Sequence, residues 1–408
     1  MINDIKPYFF LVFCGCALIM LSFGYRAGFG LFMDPLSDAR GWGREVLATA
    51  FAVQNLVWGL CALLAGGVAD RYGPSRVLFA GVIFYGFGMW GMALSTSGAE
   101  VLSTAGLLVG AGIAGTSFGI VLPALVKIVP EAKQGWVLGV GTAAGSFGQF
   151  AIVPLIQMLI SYAGWYQALQ FLSLSTVLML FFVLPLTRIE SAKGAEKGDV
   201  SFSLIKVASS ALKVPSYLLL VFGFYVCGFH LAFITVHMPI YLVDVGFSAA
   251  VGAVSISVIG LFNIFGAYYA GIISDKAPMS KILVLIYVAR AIVISLFLIL
   301  PKSVVSVLVF SGLIGLLWLA TVPPTSGLVA KFFGTRYMTY LYGIVFFSHQ
   351  VGSFTGVWLG GVLHERFGNY DGVWIAGIIL GLIAAFLHFN IDEKSYENKI
   401  STTVPQAY

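Results

Sequence analysis

Arg26 lies inside a long apolar run, seven residues before Met33, and so roughly 10 Å from the run's outer end at about 1.5 Å per helical residue. Snorkelling spans only part of that distance. A guanidinium offers five donors in a planar fork and grips carboxylates bidentately, so Arg26 is the first candidate for holding an anion. Gln54 and Asn55 sit at similar depth in the next run. One of an adjacent pair can face a cavity while the other packs between helices. His230 and His237, seven apart, share one helix face. His349 and Gln350 lie midway along a later run, with Ser353 one turn on. Neutral imidazole both donates and accepts, and protonated it is a second positive centre near neutral pH. Gln149, one turn from Ser146, is a weaker candidate of the same kind. Arg290, about 13 Å inside its own run at the helical rise, is expected to be structural. Together these side chains can bind and release a small anion. Nothing among them forms a catalytic nucleophile–base pair or a metal site, because no carboxylate or cysteine accompanies the histidines at ligand spacing.

The elements that carry these residues follow from composition. The chain has 408 residues, 59% hydrophobic and 10% charged, with a mean hydropathy of +0.97. Soluble domains carry about 25% charged residues, and seventeen acids with 22 bases cannot skin several soluble domains. The expected solvent is a lipid bilayer. Cys14, Cys16, Cys61 and Cys227 all lie in apolar runs and read as small core residues rather than disulfides. The first run is too long for a cleavable signal core.

A spanning helix needs about 20 mostly apolar residues. Twelve such spans are expected, at 8–33, 46–66, 77–96, 101–126, 135–160, 166–187, 215–240, 249–272, 281–300, 304–328, 337–362 and 371–390. With both termini in the cytoplasm, sixteen Lys and Arg fall inside and four outside, a positive-inside bias that orients the chain in a bacterial inner membrane. The expected organisation is an all-α integral membrane protein. Residues 1–187 form an N-terminal six-helix bundle, 188–214 a cytoplasmic linker, 215–395 a C-terminal six-helix bundle, and 396–408 a cytoplasmic tail. No Asp or Glu falls mid-span, and buried charge in a span marks function by default. The interior charge is positive, which suits an anionic cargo.

The two halves repeat. One loop carries Gly66, Asp70, Arg71, Gly73 and Arg76; another carries Gly271, Asp275, Lys276 and Lys281. Glycine, acid, base and distal base recur with an offset of 205 residues, the mark of an internal duplication. Glycine allows close approach of helix ends, and the aspartate can pair with a base or cap a helix N-terminus. These residues are expected to form a conformational latch.

The loop Gly66-x-x-x-Asp70-Arg71-x-Gly73-x-x-Arg76 resembles the signature loop of the major facilitator superfamily. The resemblance covers the whole chain. It implies two six-helix pseudo-repeat bundles around a central cavity with alternating access. Phe29-Gly30-Leu-Phe-Met-Asp34-Pro35, Gly41-Trp42-Gly43-Arg44-Glu45 and Asp70-Arg71-Tyr-Gly73-Pro74 are similar to the monocarboxylate transporter and oxalate–formate antiporter branch. By that resemblance Asn263 matches a polar position of the eighth span, Arg26 lies near a substrate-linked base of the first, and His349 falls at or beside a substrate lysine of the eleventh. Ala267 stands where the branch places an arginine.

These readings converge on a secondary transporter for a small organic anion, a carboxylate above all, with protons or a counter-anion as the coupled species. It is expected to act as a monomer, with no cofactor, no metal, no nucleic-acid partner and no enzymatic activity. An efflux carrier for larger, drug-like solutes and a membrane sensor that binds without transport are the alternatives. A carrier of cationic drugs would favour a buried acid, and the spans have none mid-length.

Overall fold

The computed structural model describes residues 6–187, 200–334 and 338–396. Within them, the chain is helical and contains no strands. In lipid every backbone polar group must be satisfied inside its own segment, which long apolar sequences achieve only as helices. The helices are α1 (Lys6–Gly28), continued by a tight turn Phe29–Phe32 and α2 (Met33–Arg40); α3 (Arg44–Tyr72); α4 (Pro74–Leu94); α5 (Gly98–Val101), a π-helical stretch Leu102–Leu108, α6 (Val109–Thr116) and α7 (Phe118–Val126); α8 (Glu131–Leu186); α9 (Val200–Ala211); α10 (Pro215–Asp244); α11 (Ala249–Ser274); α12 (Met279–Ile299); α13 (Val304–Leu316) and α14 (Val322–Phe333); α15 (Met338–Phe367); and α16 (Asp371–Phe389). Among the described residues, nine helices are long and apolar enough to cross a membrane.

Helices occupy every expected span, with informative departures. The segments expected at 135–160 and 166–187 join in α8, bent at Gly164, whose φ of +83° only glycine adopts without strain. The segment expected at 304–328 is broken: α13 ends at Leu316 and α14 starts at Val322. Pro323 and Pro324 lack the N–H a continuous helix needs, yet fit the first turn of a new one. The segment at 101–126 is interrupted at Ser117, which is extended at φ −78°, ψ 171°. The expected linker is not wholly a loop, since α9 fills Val200–Ala211.

Two helix pairs join the halves of the chain: α3 lies along α15, and α8 lies along α11. At one end of the molecule the halves meet tightly. Arg44 opening α3 reaches Asp244 closing α10. Gly43 sits against Glu365, and Gly361 against Ala48. Toward the other end the named contacts of α8 with α11 stop at Ser146 and Asn263, and beyond them Gly139 and Gly135 face open space. Gly66 and Gly271 also have no neighbour within reach of an added Cβ. The close approach expected at these two loop glycines is therefore absent in this conformation, although α3 and α15 still touch nearby at Leu63 and Gly343.

Candidate functional site

Arg26 sits in the last turn of α1 and is half-buried. Its Nη2 donates to Asn55 Oδ1 on α3 at 3.0 Å. The guanidinium also lies over the Trp58 ring, 4.8 Å from its centroid, a favourable cation–π distance. Among the described residues no carboxylate pairs with it. Asn55 Nδ2 is spent on the Phe51 carbonyl one turn back, at 2.8 Å, which aims Oδ1 at the guanidinium. The adjacent Gln54 turns the other way and donates to the Ala105 carbonyl at 2.8 Å. Of the adjacent pair, Asn55 joins Arg26 and Gln54 packs between helices.

An aromatic path carries the site to the other half. Trp58 packs edge-on against Phe346 of α15, with centroids 5.4 Å apart. Phe346 in turn stacks on His349 at 5.7 Å with planes 10° apart. His349 Nδ1 faces Gln350 Oε1 at 3.3 Å. The Ser353 hydroxyl donates to the Gly228 carbonyl at 3.2 Å, leaving its oxygen 3.5 Å from the same imidazole nitrogen. Gly228 holds this register: a side chain there would strike the His349 carbonyl oxygen. Arg26, Asn55, His349, Gln350 and Ser353 thus belong to one linked site at the junction of α1, α3 and α15.

His230 and His237 do share a face of α10, but that face is directed elsewhere. His230 Nε2 meets the Gly377 carbonyl of α16 at 2.7 Å. His237 Nε2 meets the Val357 carbonyl at 2.8 Å, and its Nδ1 lies 3.3 Å from the Tyr370 hydroxyl. His230 is therefore not gathered with His349. Asn263 and Gln149 form a second polar junction between the halves. Asn263 Nδ2 donates to Ser146 Oγ at 2.9 Å, and its Oδ1 accepts from Leu319 N–H at 2.9 Å. Gln149 donates to the Ile256 carbonyl at 3.0 Å.

Arg290 of α12 is fully buried. It donates to the Leu317 carbonyl at 2.6 Å and to that of Trp318, the carbonyls freed where α13 breaks from α14. The cation thus sits at the C-terminal, negative end of α13, which gives it the structural role expected of it. Asn263 and Arg290 hold the break from two sides.

The latch residues are unevenly placed. The side chains of Asp70 and Arg71 lie outside the described residues. Gly73 takes a φ of +91° between α3 and α4, and Arg76 lies over the Tyr72 ring at 5.9 Å. Asp275 and Lys276 line a surface cleft of about 420 Å³ together with Lys331 and Glu393. Glu393 accepts from the Ser280 N–H at 2.7 Å and pairs with Lys331 at 2.9 Å, which ties α12 to α14. No contact is described for Lys281.

Three sets of residues escaped sequence reasoning. Trp58 and Phe346 were hidden among 34 Phe and 8 Trp. Asp244 and His364, the partners of Arg44 at 2.7 and 2.8 Å, lie 200 and 320 residues away in sequence. The polar bridges at the two broken segments did leave a signal. Ser22 Oγ lies 2.8 Å from Thr116 Oγ1, and Cys227 Sγ lies 3.2 Å from Thr321 Oγ1. Each pair maps onto the other by the offset of 205 residues that relates the two loops.

Comparison with known proteins identifies the family. Residues 12–357 match the Major Facilitator Superfamily. The chain is similar to the oxalate:formate antiporter of Oxalobacter formigenes, 24% identical over 366 residues that cover 88% of this chain and 85% of the relative. It is similar also to monocarboxylate transporter 13 of Bos taurus, 23% identical over 350 residues covering 85% and 80%. In fold it resembles the crystal structure of a D-xylose–proton symporter, with a TM-score of 0.73 at 15% identity over 94% of this chain and 98% of that one. A helical, bilayer-adapted chain with a duplicated loop and a polar site between its halves therefore belongs to the Major Facilitator Superfamily, as an integral membrane transporter protein and not an enzyme.

Proposed function

We propose that this protein is a secondary transporter that moves a small organic anion, a carboxylate, across the bacterial inner membrane by alternating access. The carrying observation is Arg26: a half-buried guanidinium at the junction of the halves, oriented by Asn55 and Trp58 and paired with no carboxylate among the described residues. A cation held this way has donors to spare for an incoming anion. The kinship with the oxalate:formate antiporter and with monocarboxylate transporter 13 supports the same cargo class. Twelve spans with both termini cytoplasmic complete the reading. The end that bears Gly66 and Gly271, whose Cβ positions face open space, then faces the cytoplasm, and the conformation is inward-open. Asp70 and Arg71, with Asp275 and Lys276, act as latches on the cytoplasmic side. Protons or a counter-anion supply the coupling, and the transporter works as a monomer.

The test is counterflow in proteoliposomes loaded with short carboxylates. Wild type is expected to exchange labelled carboxylate, Arg26→Lys to do so weakly, and Arg26→Gln to lose the activity. Normal exchange by correctly inserted Arg26→Gln would overturn the assignment of Arg26. Saturable binding with no exchange would instead identify a sensor. A cysteine at Ser97 is expected to react with an impermeant thiol reagent from outside, which checks the orientation.

A further inference from the structure

One face of α4 runs from charge to hydrocarbon along its length. Arg76, Phe79, Ala80, Ile83 and Phe84 recur at intervals of three and four residues, so they share one side of the helix. The last turn of α8, with Val183 and Leu184, lies alongside, and the two helix ends enclose a groove of about 500 Å³. Phe79 and Phe84 on one wall and Leu184 on the other are exposed. The rest of α4 packs against α3, α6 and α8 of its own half, so this side looks away from the junction of the halves and toward the bilayer.

The groove has one charged end. Arg76 stands in the first turn of α4 and is exposed. Its guanidinium lies over the Tyr72 ring at 5.9 Å. Among the described residues no carboxylate pairs with it, and the first turn of α4 contains no acid to neutralise it. At the end of a spanning helix a long basic side chain reaches the lipid headgroups, and the guanidinium fork matches phosphate in geometry. From Arg76 to Phe84 the helix rises roughly 12 Å, most of the ~15 Å that one leaflet contributes to the hydrocarbon core.

A free anion would need only the base, and an apolar solute only the walls. A groove with a cation at its mouth and apolar walls along its length fits an amphiphile with a negative head. We propose that the groove between α4 and α8 binds an anionic phospholipid, its phosphate on Arg76 and one acyl chain along Phe79, Ile83 and Phe84. Ala80 is the small side chain on this face that leaves room for the chain. The lipid braces the start of α4 against the end of α8, and Arg76 thereby serves the bilayer rather than the latch expected of it. The site lies on a different face of the molecule from Arg26 and does not depend on the class of substrate.

The test is native mass spectrometry of the delipidated full-length protein, titrated with phosphatidylglycerol and with phosphatidylcholine of the same acyl chains. Wild type is expected to retain phosphatidylglycerol about fivefold more tightly, the factor that one base near an anionic lipid contributes. Arg76→Gln removes the charge and should abolish that preference while phosphatidylcholine binds as before. Ala80→Phe fills the groove and keeps the base; it should weaken both lipids about tenfold, because the acyl chain loses its buried contact. Inorganic phosphate should fail to displace the lipid, since it engages the base alone. The two variants act on different parts of the site, so misfolding of one leaves the other to decide. Equal retention of the two lipids by wild type, unchanged retention in either folded variant, or displacement by phosphate would each overturn the proposal.

Discussion

Arg44 and Asp244 form a two-pronged ion pair across the halves of the molecule, with Nη2–Oδ1 at 2.7 Å and Nη1–Oδ2 at 2.5 Å. Arg44 also holds Asp34 at 3.0 Å and donates to His364 at 2.8 Å. One guanidinium thereby gathers the end of the first segment, the start of α3, the end of α10 and the last turn of α15. Asp34 and Arg44 stand in the first half of the chain, and Asp244 and His364 in the second. The cluster holds the halves together at the end opposite Gly66 and Gly271.

Its removal should favour the outward-open state. The groups are partly exposed, so each pair contributes about 1 kcal/mol or less, but the fork geometry and shared cation make a network. Arg44→Gln is expected to shift the inward-to-outward equilibrium about fivefold, the factor that ~1 kcal/mol produces. Hydrogen–deuterium exchange should rise at the ends of α10 and α15 and fall near Gly66 and Gly271. Unchanged exchange at all four places would mean that the cluster is surface decoration.

Arg290 and Arg26 should fail in opposite ways. Arg290 satisfies the carbonyls of Leu317 and Trp318 at the helix break, buried inside the protein. Arg290→Met leaves them unpaired and should cost about 3 kcal/mol of stability. The expected result is a thermal midpoint several degrees lower, with carboxylate affinity within about twofold of wild type because the two sites are distinct. Arg26→Gln should show the converse, a near-normal midpoint and lost affinity. A loss of affinity in Arg290→Met at full stability would place Arg290 in the binding site.

Glu393 gives a pH signature outside the spans. Burial alone would raise its carboxyl, but the Lys331 ammonium and the Ser280 N–H outweigh it and hold the group below the ordinary carboxylate value. A carboxyl lowered on folding stabilises the protein above its unfolded value, about 4.3 for glutamate. That contribution is lost as pH falls through the lowered folded value. Wild type should therefore lose thermal stability more steeply than Glu393→Gln below pH about 4. Parallel curves would show that the tie between α12 and α14 does not depend on this charge.

The positions of the helices were legible because lipid forces long apolar runs into helices, and the depth of Arg26 marked it without any knowledge of its neighbours. The choice between Gln54 and Asn55 was not legible. Adjacent residues point about 100° apart, and only the rotation of α3 against α1 decides which meets the guanidinium. The histidines of α10 show the same limit: spacing put His230 and His237 on one face, but not which helix that face meets. The break between α13 and α14 comes just before Pro323-Pro324, within a segment that reads as one span. Contacts between the halves, such as Arg44 with Asp244 or Trp58 with Phe346, depend on which conformation the two halves adopt, and no local pattern carries that.

His349 offers the clearest test of coupling, because the spans hold no mid-length carboxylate to carry a proton. Its Nδ1 lies 3.3 Å from Gln350 Oε1 and 3.5 Å from the Ser353 hydroxyl. An anion bound between Arg26 and His349 favours the charged imidazolium, and linkage requires the imidazolium to favour the anion equally. With such coupling, affinity for a short carboxylate should rise as pH falls, at most tenfold per pH unit for a single proton. His349→Gln should remove this dependence while keeping a hydrogen-bonding side chain at the position. The measurement is binding against pH in both proteins, with Ser353→Ala as a variant that disturbs the same cluster and keeps the imidazole. A flat profile in His349→Gln and a sloped one in Ser353→Ala would assign anion–proton symport to this histidine. Identical profiles in wild type and His349→Gln would leave it a positioning residue, and the transport cycle would run on exchange or on the gradient of the anion itself.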